Sequence, residues 1–440
     1  MPIQLEFGRK SSDVVLQNVL LHGNEIASLA IHHGDSMPSF PQMLAFSRPS
    51  VERLHIYSDN LKGWKVEDQK AHEIWQDLRS LRELFVCRYS IPIDQLTAPN
   101  LTHLALEQAA HRRNFTVQSI LAMLRGCPLL ETLLITGSGA HRELARDHSP
   151  VSLPHLRSIE LGLFEVRSGL ITYLQFPPNV AAGFRMLSLT DVCGDISTEL
   201  AATMQHVLRG VEIRSITLAV PLHPHGDVEL LVGFGGLRGS LEMTICGANT
   251  HTPLWEVFFD ARGVLFSHSP YIENVRETHI VGCFLEEDRE MDHIHAAMPN
   301  LRSISFFHCE GRHMFGLLTP TDPWSSPFPH LERVMLLGQE SELRRMAKAR
   351  RDHGVPLKTL VVGRLPRELA YGLEDHTTLE TFEYGRLEDY TALEDLVDDL
   401  RIGCPTEILK WGAGNDILNI WSAGETPGPV SPNWKAAVQR

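Results

Sequence analysis

The sequence lacks the features that mark most secreted, membrane and nucleic-acid-binding proteins. Its seven cysteines among 440 residues are odd in number and include no Cys-x-x-Cys pair, so reduced thiols are expected rather than a disulfide framework. No run of about 18 apolar residues occurs, and the start has no signal-peptide core. The 40 basic residues are outnumbered by 54 acidic ones, giving a net charge of −14. We therefore expect a cytoplasmic or nuclear protein that binds neither membrane nor nucleic acid.

One phrase recurs along the chain, with the spacing P-x-Φ-x-x-Φ-x-Φ, where Φ is apolar. The stretches LPHLRSIELG from Leu153 and MPNLRSISFF from Met298 are nearly identical copies. The full phrase begins at Pro49, Pro99, Pro128, Pro154, Pro299 and Pro329. Copies without the proline begin at Leu81, Phe184, Ile213, Leu357 and Leu379, and fainter ones lie near Leu241, near Ile280, in IASLAI and in the opening PIQLEF. The chain is thus predicted to be built from one repeated unit.

The middle apolar residue of successive copies gives the period of the repeat. These residues are Leu54, Leu84, Leu104, Leu133, Ile159, Leu187, Ile216, Leu241, Thr278, Ile304, Val334, Leu360 and Phe382. They are 20 to 37 residues apart, mostly 25 to 30. L-x-x-L-x-L at such a period is the signature of leucine-rich repeats, in which each copy supplies a strand. Helix-like segments follow some copies, at 116–126, 288–298, 342–354 and 392–403.

The repeat predicts an α/β fold: a leucine-rich-repeat solenoid, or horseshoe, with a parallel sheet on the concave face and helices on the convex face. A single repeat cannot fold alone, because burying three apolar anchors contributes about 6 kcal/mol and ordering the repeat costs several times more. We expect one domain over residues 3–415, with about 13 to 15 repeats, and a flexible tail over 422–440. A pair of doubly wound α/β domains is the alternative, although six proline-led copies of one phrase are hard to obtain from that fold.

No motif supplies a complete set of catalytic or metal-ligating residues. HEIWQ at His72 lacks the second histidine of a zinc-protease helix, because Gln76 occupies that place. Glu290 and His293 have the E-x-x-H spacing of di-metal sites without the second pair that such sites need. The loop LHPHGD, from Leu222, is expected to be a surface loop rather than a metal site. We therefore predict a protein that is not an enzyme and needs no cofactor or metal.

The cluster RRMAKARRD, from Arg344 to Asp352, is the one basic run of the chain. It fits a charged outer face of a solenoid helix, and it also fits a nuclear-import patch. The sequence leaves both interpretations open.

The predicted concave face carries the candidate binding residues. Side chains that alternate with the buried apolar positions point to this face, and several are large and apolar where a solvated face would be polar. The predicted partner-binding residues are Arg53, His55, Tyr57, Phe85, His103, Leu134, Ser305, Phe307, Met335, Leu337 and Glu383. The alternative is that helices or insertions of the chain itself cover these side chains.

The phrases CPLLETLLITG, LPHLRSIELG, MPNLRSISFFH and FPHLERVMLLG, with their irregular spacing and intervening helices, resemble the leucine-rich-repeat region of fungal F-box proteins. The resemblance extends from about Pro2 to Trp411. In that family an F-box binds the Skp-type adaptor of a cullin ubiquitin ligase, and the repeats hold the substrate. The resemblance therefore implies a non-catalytic substrate receptor that binds a protein on its concave face.

The F-box itself is missing from this pattern. Its L-P-x-E start occurs only in LPRELAYGLEDH, from Leu365 to His376, and the next strand-like copy begins at Leu379. The chain opens on PIQLEF with no helical module before it. Skp-type adaptor and cullin are expected partners if an F-box is restored to this chain. The alternative is a stand-alone leucine-rich-repeat scaffold or regulator with no link to ubiquitin.

Overall fold

A computed structural model of the chain shows an α/β protein with parallel sheets and few helices. The structure describes residues 3–7, 26–33, 50–58, 75, 78–89, 91, 93, 96–108, 116–137, 149–188, 197–209, 211–219, 228–236, 240–248, 272–281, 298–307, 315, 318–320, 328–336, 340–363, 390 and 392–403. The chain divides into two compact units, and the predicted domain over residues 3–415 stays a prediction. The first is Met1–Val211 with Arg238–Ile245, and the second is Glu212–Leu237 with Cys246–Arg440.

The first unit is built on a parallel sheet whose strands follow the order of the chain. Its strands are β1 (Ile3–Phe7), β2 (Ile26–His33), β3 (Arg53–Ser58), β4 (Glu83–Cys87), β5 (His103–Glu107), β6 (Thr132–Thr136), β8 (Ser158–Gly162) and β10 (Ala181–Ser188), with β13 (Ser240–Ala248) beside β10. A small parallel pair, β7 (Val151–Ser152) and β9 (Leu174–Gln175), lies apart from this sheet. Sequential parallel neighbours are the arrangement that a repeated strand and crossover predict.

The second unit repeats this plan with one exception. Its strands are β11 (Ile213–Ala219), β12 (Val228–Gly236), β14 (Glu277–Val281), β15 (Ser303–Phe307), β16 (Arg333–Leu336), β17 (Thr359–Gly363) and β18 (Asp399–Gly403). From β11 through β14 to β18 the neighbours are parallel. The exception is β12, which pairs antiparallel with β11 and was not predicted.

The proline phrase forms the same turn in each described copy. The amide of the first apolar residue bonds to the carbonyl three residues earlier, as between Leu101 and Ala98 or between Leu301 and Met298. Proline is the second residue of this four-residue turn, where its fixed φ is favoured. The apolar residues Leu101, Leu130, Leu156, Leu301 and Leu331 are buried. Each phrase thus supplies both a turn and a core anchor before its strand begins.

The middle apolar residues pair across neighbouring strands, as the repeat predicts. In the first unit Leu29, Leu54, Leu84, Leu104, Leu133 and Ile159 form one continuous register. In the second unit the register joins Ile216, Thr278, Ile304, Val334 and Leu360. Thr278 is polar and buried, and its hydroxyl lies 3.4 Å from the sulfur of Met298. Two residues further on, a second buried row (Ile56, Val86, Leu106 and Ile135) completes the core face.

The register corrects one predicted copy. Ala182, not Leu187, pairs with Ile159, and Phe184 pairs with Leu161. The phrase FRMLSL was therefore placed five residues too far along the chain. Ala182 and Leu187 both lie in β10 but are five residues apart, so they occupy opposite faces of the strand. The strand has apolar residues on both faces, and the wrong face was assigned to the core.

A backbone ladder connects the repeats just before their strands. The carbonyl of the residue after the apolar anchor accepts two amides of the next repeat, as Arg82 does from Thr102 and His103. Arg302 accepts in the same way from Glu332 and Arg333. Just after the strands, Arg88, Gln108 and Gly137 share a left-handed conformation with φ between 46° and 65°. The three residues occupy equivalent places in successive repeats.

The described α-helices are few: α1 (Val117–Arg125), α2 (Leu163–Arg167), α3 (Ser197–Val207) and α4 (Glu340–Asp352). Helix α1 is capped by the preceding Thr116, whose hydroxyl accepts a hydrogen bond from the amide of Ser119 at 3.1 Å. Helices α1 and α4 confirm two predicted segments, and the third, 288–298, lies outside the described residues except at Met298. The fourth prediction, a helix over 392–403, is wrong because its last residues form β18. Among the described residues no helix is long and apolar enough to cross a membrane.

Candidate functional site

The predicted binding residues of the first unit lie on one face of four neighbouring strands, β3 to β6. We call this the far face, because its side chains alternate with those of the buried core rows. Arg53 pairs with Glu83 and Glu83 with His103, which places both predicted residues in one row. His55, Phe85, Ala105 and Leu134 form the next row, and Tyr57, Cys87, Glu107 and Thr136 form the third. The repeat therefore brings together six predicted residues that are far apart in sequence.

An aromatic cluster marks the β3–β4 part of the far face. The ring centroids of Tyr57 and Phe85 are 4.9 Å apart, and those of His55 and Phe85 are 6.0 Å apart at an angle of 65°. Such edge-on and tilted contacts are favourable geometries for aromatic pairs. Phe85 is buried, at 3% exposure, whereas His55 and Tyr57 are partly exposed. Phe85 thus forms the buried part of the cluster, and the rings of His55 and Tyr57 pack against it and are partly accessible.

The middle row of the far face is less accessible than the sequence suggests. Leu134 is 1% exposed. In the second unit Ser305 and Met335 are also buried, in the corresponding row with His279 and Val361. The side chain of Phe307, and Leu337 and Glu383 altogether, lie outside the described residues. Partner binding through this list stays a prediction, and the residues that offer surface to a partner are Arg53, His55, Tyr57 and His103.

Burial and neighbouring charges set the protonation of the accessible rings. Burial lowers the pKa of His55, and the adjacent Arg53 lowers it further, so the imidazole is neutral at neutral pH. Burial also raises the pKa of Tyr57, with smaller contributions from Cys87 and Glu107. His103 is oriented by a 2.8 Å contact between its Nδ1 and the hydroxyl of Thr102. We call Arg53, His55, Tyr57 and His103 the strip, in which the cation Arg53 lies beside the neutral rings of His55 and Tyr57.

A titratable pair, Cys87 and Glu107, lies beside this strip in the third row. Burial raises the pKa of the Cys87 thiol to about 11, so the thiol stays protonated at neutral pH and is not an activated nucleophile. Burial and the charge of Glu160 raise the pKa of Glu107 to about 7, against smaller opposing effects of Cys87, Arg185 and Arg88. Glu160 is itself ion-paired with Arg185. Glu107 is the residue of this face that sequence reasoning missed, although it pairs with Cys87 in a row that the repeat predicts.

The other sequence motifs contribute little to a site. The loop LHPHGD and the pair Glu290 and His293 lie outside the described residues, as does His72. In the basic cluster of α4, Arg344, Arg345, Lys348 and Arg351 are exposed. Arg350 is instead fully buried and donates to the carbonyls of Leu318 at 3.1 Å and Phe328 at 2.9 Å. Within the described ranges no group of three or more His, Cys, Asp or Glu residues is placed to hold a metal ion.

Comparisons with known proteins give little further information. No protein-family model matches the chain, and no curated protein does. Among solved structures, the chain is similar to one in the crystal structure of the Rad7 and Elc1 complex in yeast. That similarity has 13% sequence identity and a TM-score of 0.32, and covers 74% of this chain and 72% of the other.

Proposed function

We propose that this chain is a leucine-rich-repeat solenoid that binds a protein partner through the far face of its first unit, without catalysing a reaction. The architecture is supported by the sequential parallel strands, the repeated proline turn and the unbroken register of apolar residues. Repeats of this kind bury one face and leave side chains on the other face available for recognition. The helices of such a solenoid would lie on its convex side.

The observation that carries the binding proposal is the strip formed by Arg53, His55, Tyr57 and His103. Partly exposed aromatic rings on a rigid base, with one arginine beside them, match the composition of residues that dominate protein interfaces. Phe85 fixes the two rings in place, so little side-chain entropy is lost when a partner binds. The adjacent thiol is protonated, which favours binding over nucleophilic chemistry at this surface.

The finer proposal is that the partner is a substrate of a ubiquitin ligase. It rests on the resemblance of the proline phrases to the repeat region of fungal F-box proteins, and it makes a Skp-type adaptor and a cullin the associated partners. The L-P-x-E stretch from Leu365 to His376 lies outside the described residues. The alternative is a scaffold or regulator that uses the same surface with no link to ubiquitin.

The test is affinity purification of the full chain from its native cells with quantitative mass spectrometry. We compare the wild type with the double variant Arg53→Glu, Tyr57→Ala. The matched control is Arg333→Glu, because Glu332 and Arg333 in FPHLERV occupy the same places in the repeat as Glu52 and Arg53 in RPSVERL. We expect the double variant to lose a partner that the control retains. Equal enrichment from all three proteins would contradict the proposal.

The same experiment distinguishes a ubiquitin-ligase receptor from a scaffold or regulator. Stoichiometric adaptor and cullin, retained by the double variant, would support a ligase receptor whose docking site is distinct from the strip. A partner that is lost with the strip, with neither adaptor nor cullin present, would support the scaffold or regulator.

A further inference from the structure

The second unit carries a column of cationic side chains at one place of its repeat. The place is the residue directly after the buried apolar anchor, whose carbonyl forms the backbone ladder to the next repeat. In the second unit this column consists of Arg214, Arg276, Arg302, Glu332 and Lys358, and it ends on the acidic Asp398, which follows the buried Val397 before β18. The backbone hydrogen bonds of the ladder hold the residues from Arg214 to Lys358 side by side across β11, β14, β15, β16 and β17. Their alignment therefore does not depend on the conformation of their side chains.

A polar groove lies in the middle of this column. Asn274, Arg276, Asn300, Arg302 and His330 line it, and it encloses about 250 Å³. All five residues are exposed. The amide nitrogen of Asn300 donates to the carbonyl of Glu273 at 2.8 Å, which fixes that side chain against the preceding turn. No carboxylate is among the lining residues, and every one of them can donate a hydrogen bond.

The charges of the column are only partly compensated. Glu332 lies 3.9 Å from Arg302 and 3.0 Å from Lys358, and Arg214 lies 3.4 Å from Glu212. Among the described residues, no carboxylate lies within ion-pair distance of Arg276. The column therefore holds four cations and two carboxylates, Glu332 and Asp398, with Glu212 beside its start, on a chain whose net charge is −14. A local positive excess on an acidic protein marks a surface that selects anionic groups.

We propose that this groove binds an acidic segment of a partner polypeptide, with the carboxylates of neighbouring Asp or Glu side chains paired with Arg276 and Arg302. A guanidinium matches a carboxylate through two parallel hydrogen bonds. The five strands beneath Arg214 to Lys358 are about 4.8 Å apart, so this part of the column extends for about 19 Å, the length of about six extended peptide residues. The proposal concerns the second unit and does not depend on the far face of the first.

The pattern favours a peptide over a nucleic acid. Glu332 interrupts the column and Glu212 flanks its start. A nucleic acid carries phosphates at every nucleotide and would meet these carboxylates, whereas a peptide can place a neutral or basic side chain opposite them. The negative net charge of the chain also opposes the long-range attraction on which nucleic-acid binding depends.

The test uses the full-length protein and a fluorescein-labelled oligoglutamate peptide, with fluorescence anisotropy as the measurement. We expect the double variant Arg276→Ala, Arg302→Ala to bind at least about tenfold more weakly than the wild type. The matched control is Arg157→Ala, because PHLRSI and PNLRSI are the same phrase and Arg157 lies in the first unit, outside the cationic column. Its affinity should equal that of the wild type. Melting curves of all three proteins establish that each variant is folded.

Three outcomes would overturn the proposal. In the first, the wild type binds oligoglutamate no better than an oligoglutamine peptide of the same length, or Arg157→Ala loses as much affinity as the double variant. In the second, a single-stranded RNA oligonucleotide binds more tightly than the peptide with the same dependence on Arg276 and Arg302, which makes the surface a nucleic-acid site. In the third, inorganic phosphate displaces the peptide at equal concentration, which makes the groove a site for compact anions.

Discussion

The two units use the same repeat, but they differ in the charges at one place of it. In the first unit the column after the apolar anchor is Glu52, Arg82, Thr102, Glu131 and Arg157, two acids and two bases around a neutral residue. In the second unit it is cationic except at Glu332 and at Asp398, which ends the column. The backbone ladder is the same in both. The shared backbone ladder therefore leaves the charge of this column free to vary.

The units also differ in what their helices bury. The buried residues of α1 are all apolar: Val117, Ile120, Leu121, Met123 and Leu124. In α4 the buried positions are Leu343, Met346, Ala347 and Arg350. Arg350 thus occupies the last place of an apolar helical stripe. Burial lowers the pKa of its guanidinium to about 10, so it is still charged at neutral pH, and it donates hydrogen bonds to the carbonyls of Leu318 and Phe328.

The largest expected effect comes from removing Arg350. Arg350→Ala leaves a cavity and takes the donors from the carbonyls of Leu318 and Phe328, so we expect a loss of about 3 to 5 kcal/mol in the free energy of unfolding. Lys348→Ala, at an exposed position of the same helix, should change it by less than about 0.5 kcal/mol. Urea denaturation monitored by circular dichroism measures both. Equal effects would show that α4 does not pack through Arg350.

A smaller effect, with a pH dependence, is expected at Glu107 in the first unit. Its pKa is about 7 in the folded protein and 4.5 ordinarily, so the folded state holds the proton more tightly than the unfolded state. The contribution of Glu107 to the free energy of unfolding should therefore be most favourable below pH 4.5, and it should decrease as pH rises to about 7. Glu107→Gln should stabilise the protein by about 1 to 3 kcal/mol above pH of about 8, and little at acid pH.

For His279 in the second unit, we expect stability to depend on pH in the opposite direction. Burial lowers its pKa to about 4 from 6.5, so the unfolded state takes up the proton first as the solution is acidified. Its contribution to stability is present above pH 6.5 and is lost as pH falls towards 4. His279→Asn should flatten the acid side of the stability profile and leave the alkaline side unchanged. An unchanged acid side would indicate that the ring is accessible to water.

The smallest expected effects on stability come from one asparagine in each unit, and the two effects should be equal. Asn100 and Asn300 occupy the same place in PNL, and each donates its amide to a carbonyl of the preceding turn, of Arg79 at 2.7 Å and of Glu273 at 2.8 Å. Either alanine variant should lower stability by about 0.5 to 1.5 kcal/mol. His155, at the same place of PHL, is exposed, and His155→Ala is the control. A difference of more than about 1 kcal/mol between the two asparagines would show that the turns are not equivalent.

Sequence reasoning found the repeat because three kinds of residue recur in it for separate physical reasons. Proline fixes the turn, the first leucine anchors it, and alternating apolar residues fill the core rows. Those signals placed Leu54, Leu84, Leu104 and Leu133 in register. Alternation does not encode the direction of a strand, so the antiparallel β12 was missed. Strand β10 has apolar residues on both faces, so the prediction assigned Leu187 to the core row where Ala182 pairs.

The candidate sites were predictable to different degrees. The row positions of Arg53, His55 and Tyr57 follow from the period of two in a strand. The burial of Phe85 and Leu134 does not, because it depends on packing beyond the strand itself. The cationic column was present in the sequence as the residue after each anchor, at Arg276, Arg302 and Lys358. The column becomes visible in the sequence when the phrases are aligned and the residue after each apolar anchor is compared between repeats.

The most direct test of the account is photo-crosslinking from position 57. A photoreactive phenylalanine analogue replaces Tyr57 in one full-length protein and Arg333 in another, and each is irradiated in extract of the native cells and analysed by mass spectrometry. The account predicts that position 57 crosslinks to a discrete protein and that position 333 does not crosslink to it. Crosslinks to the same proteins from both positions, or none from position 57, would contradict the assignment of the far face of the first unit as the binding surface.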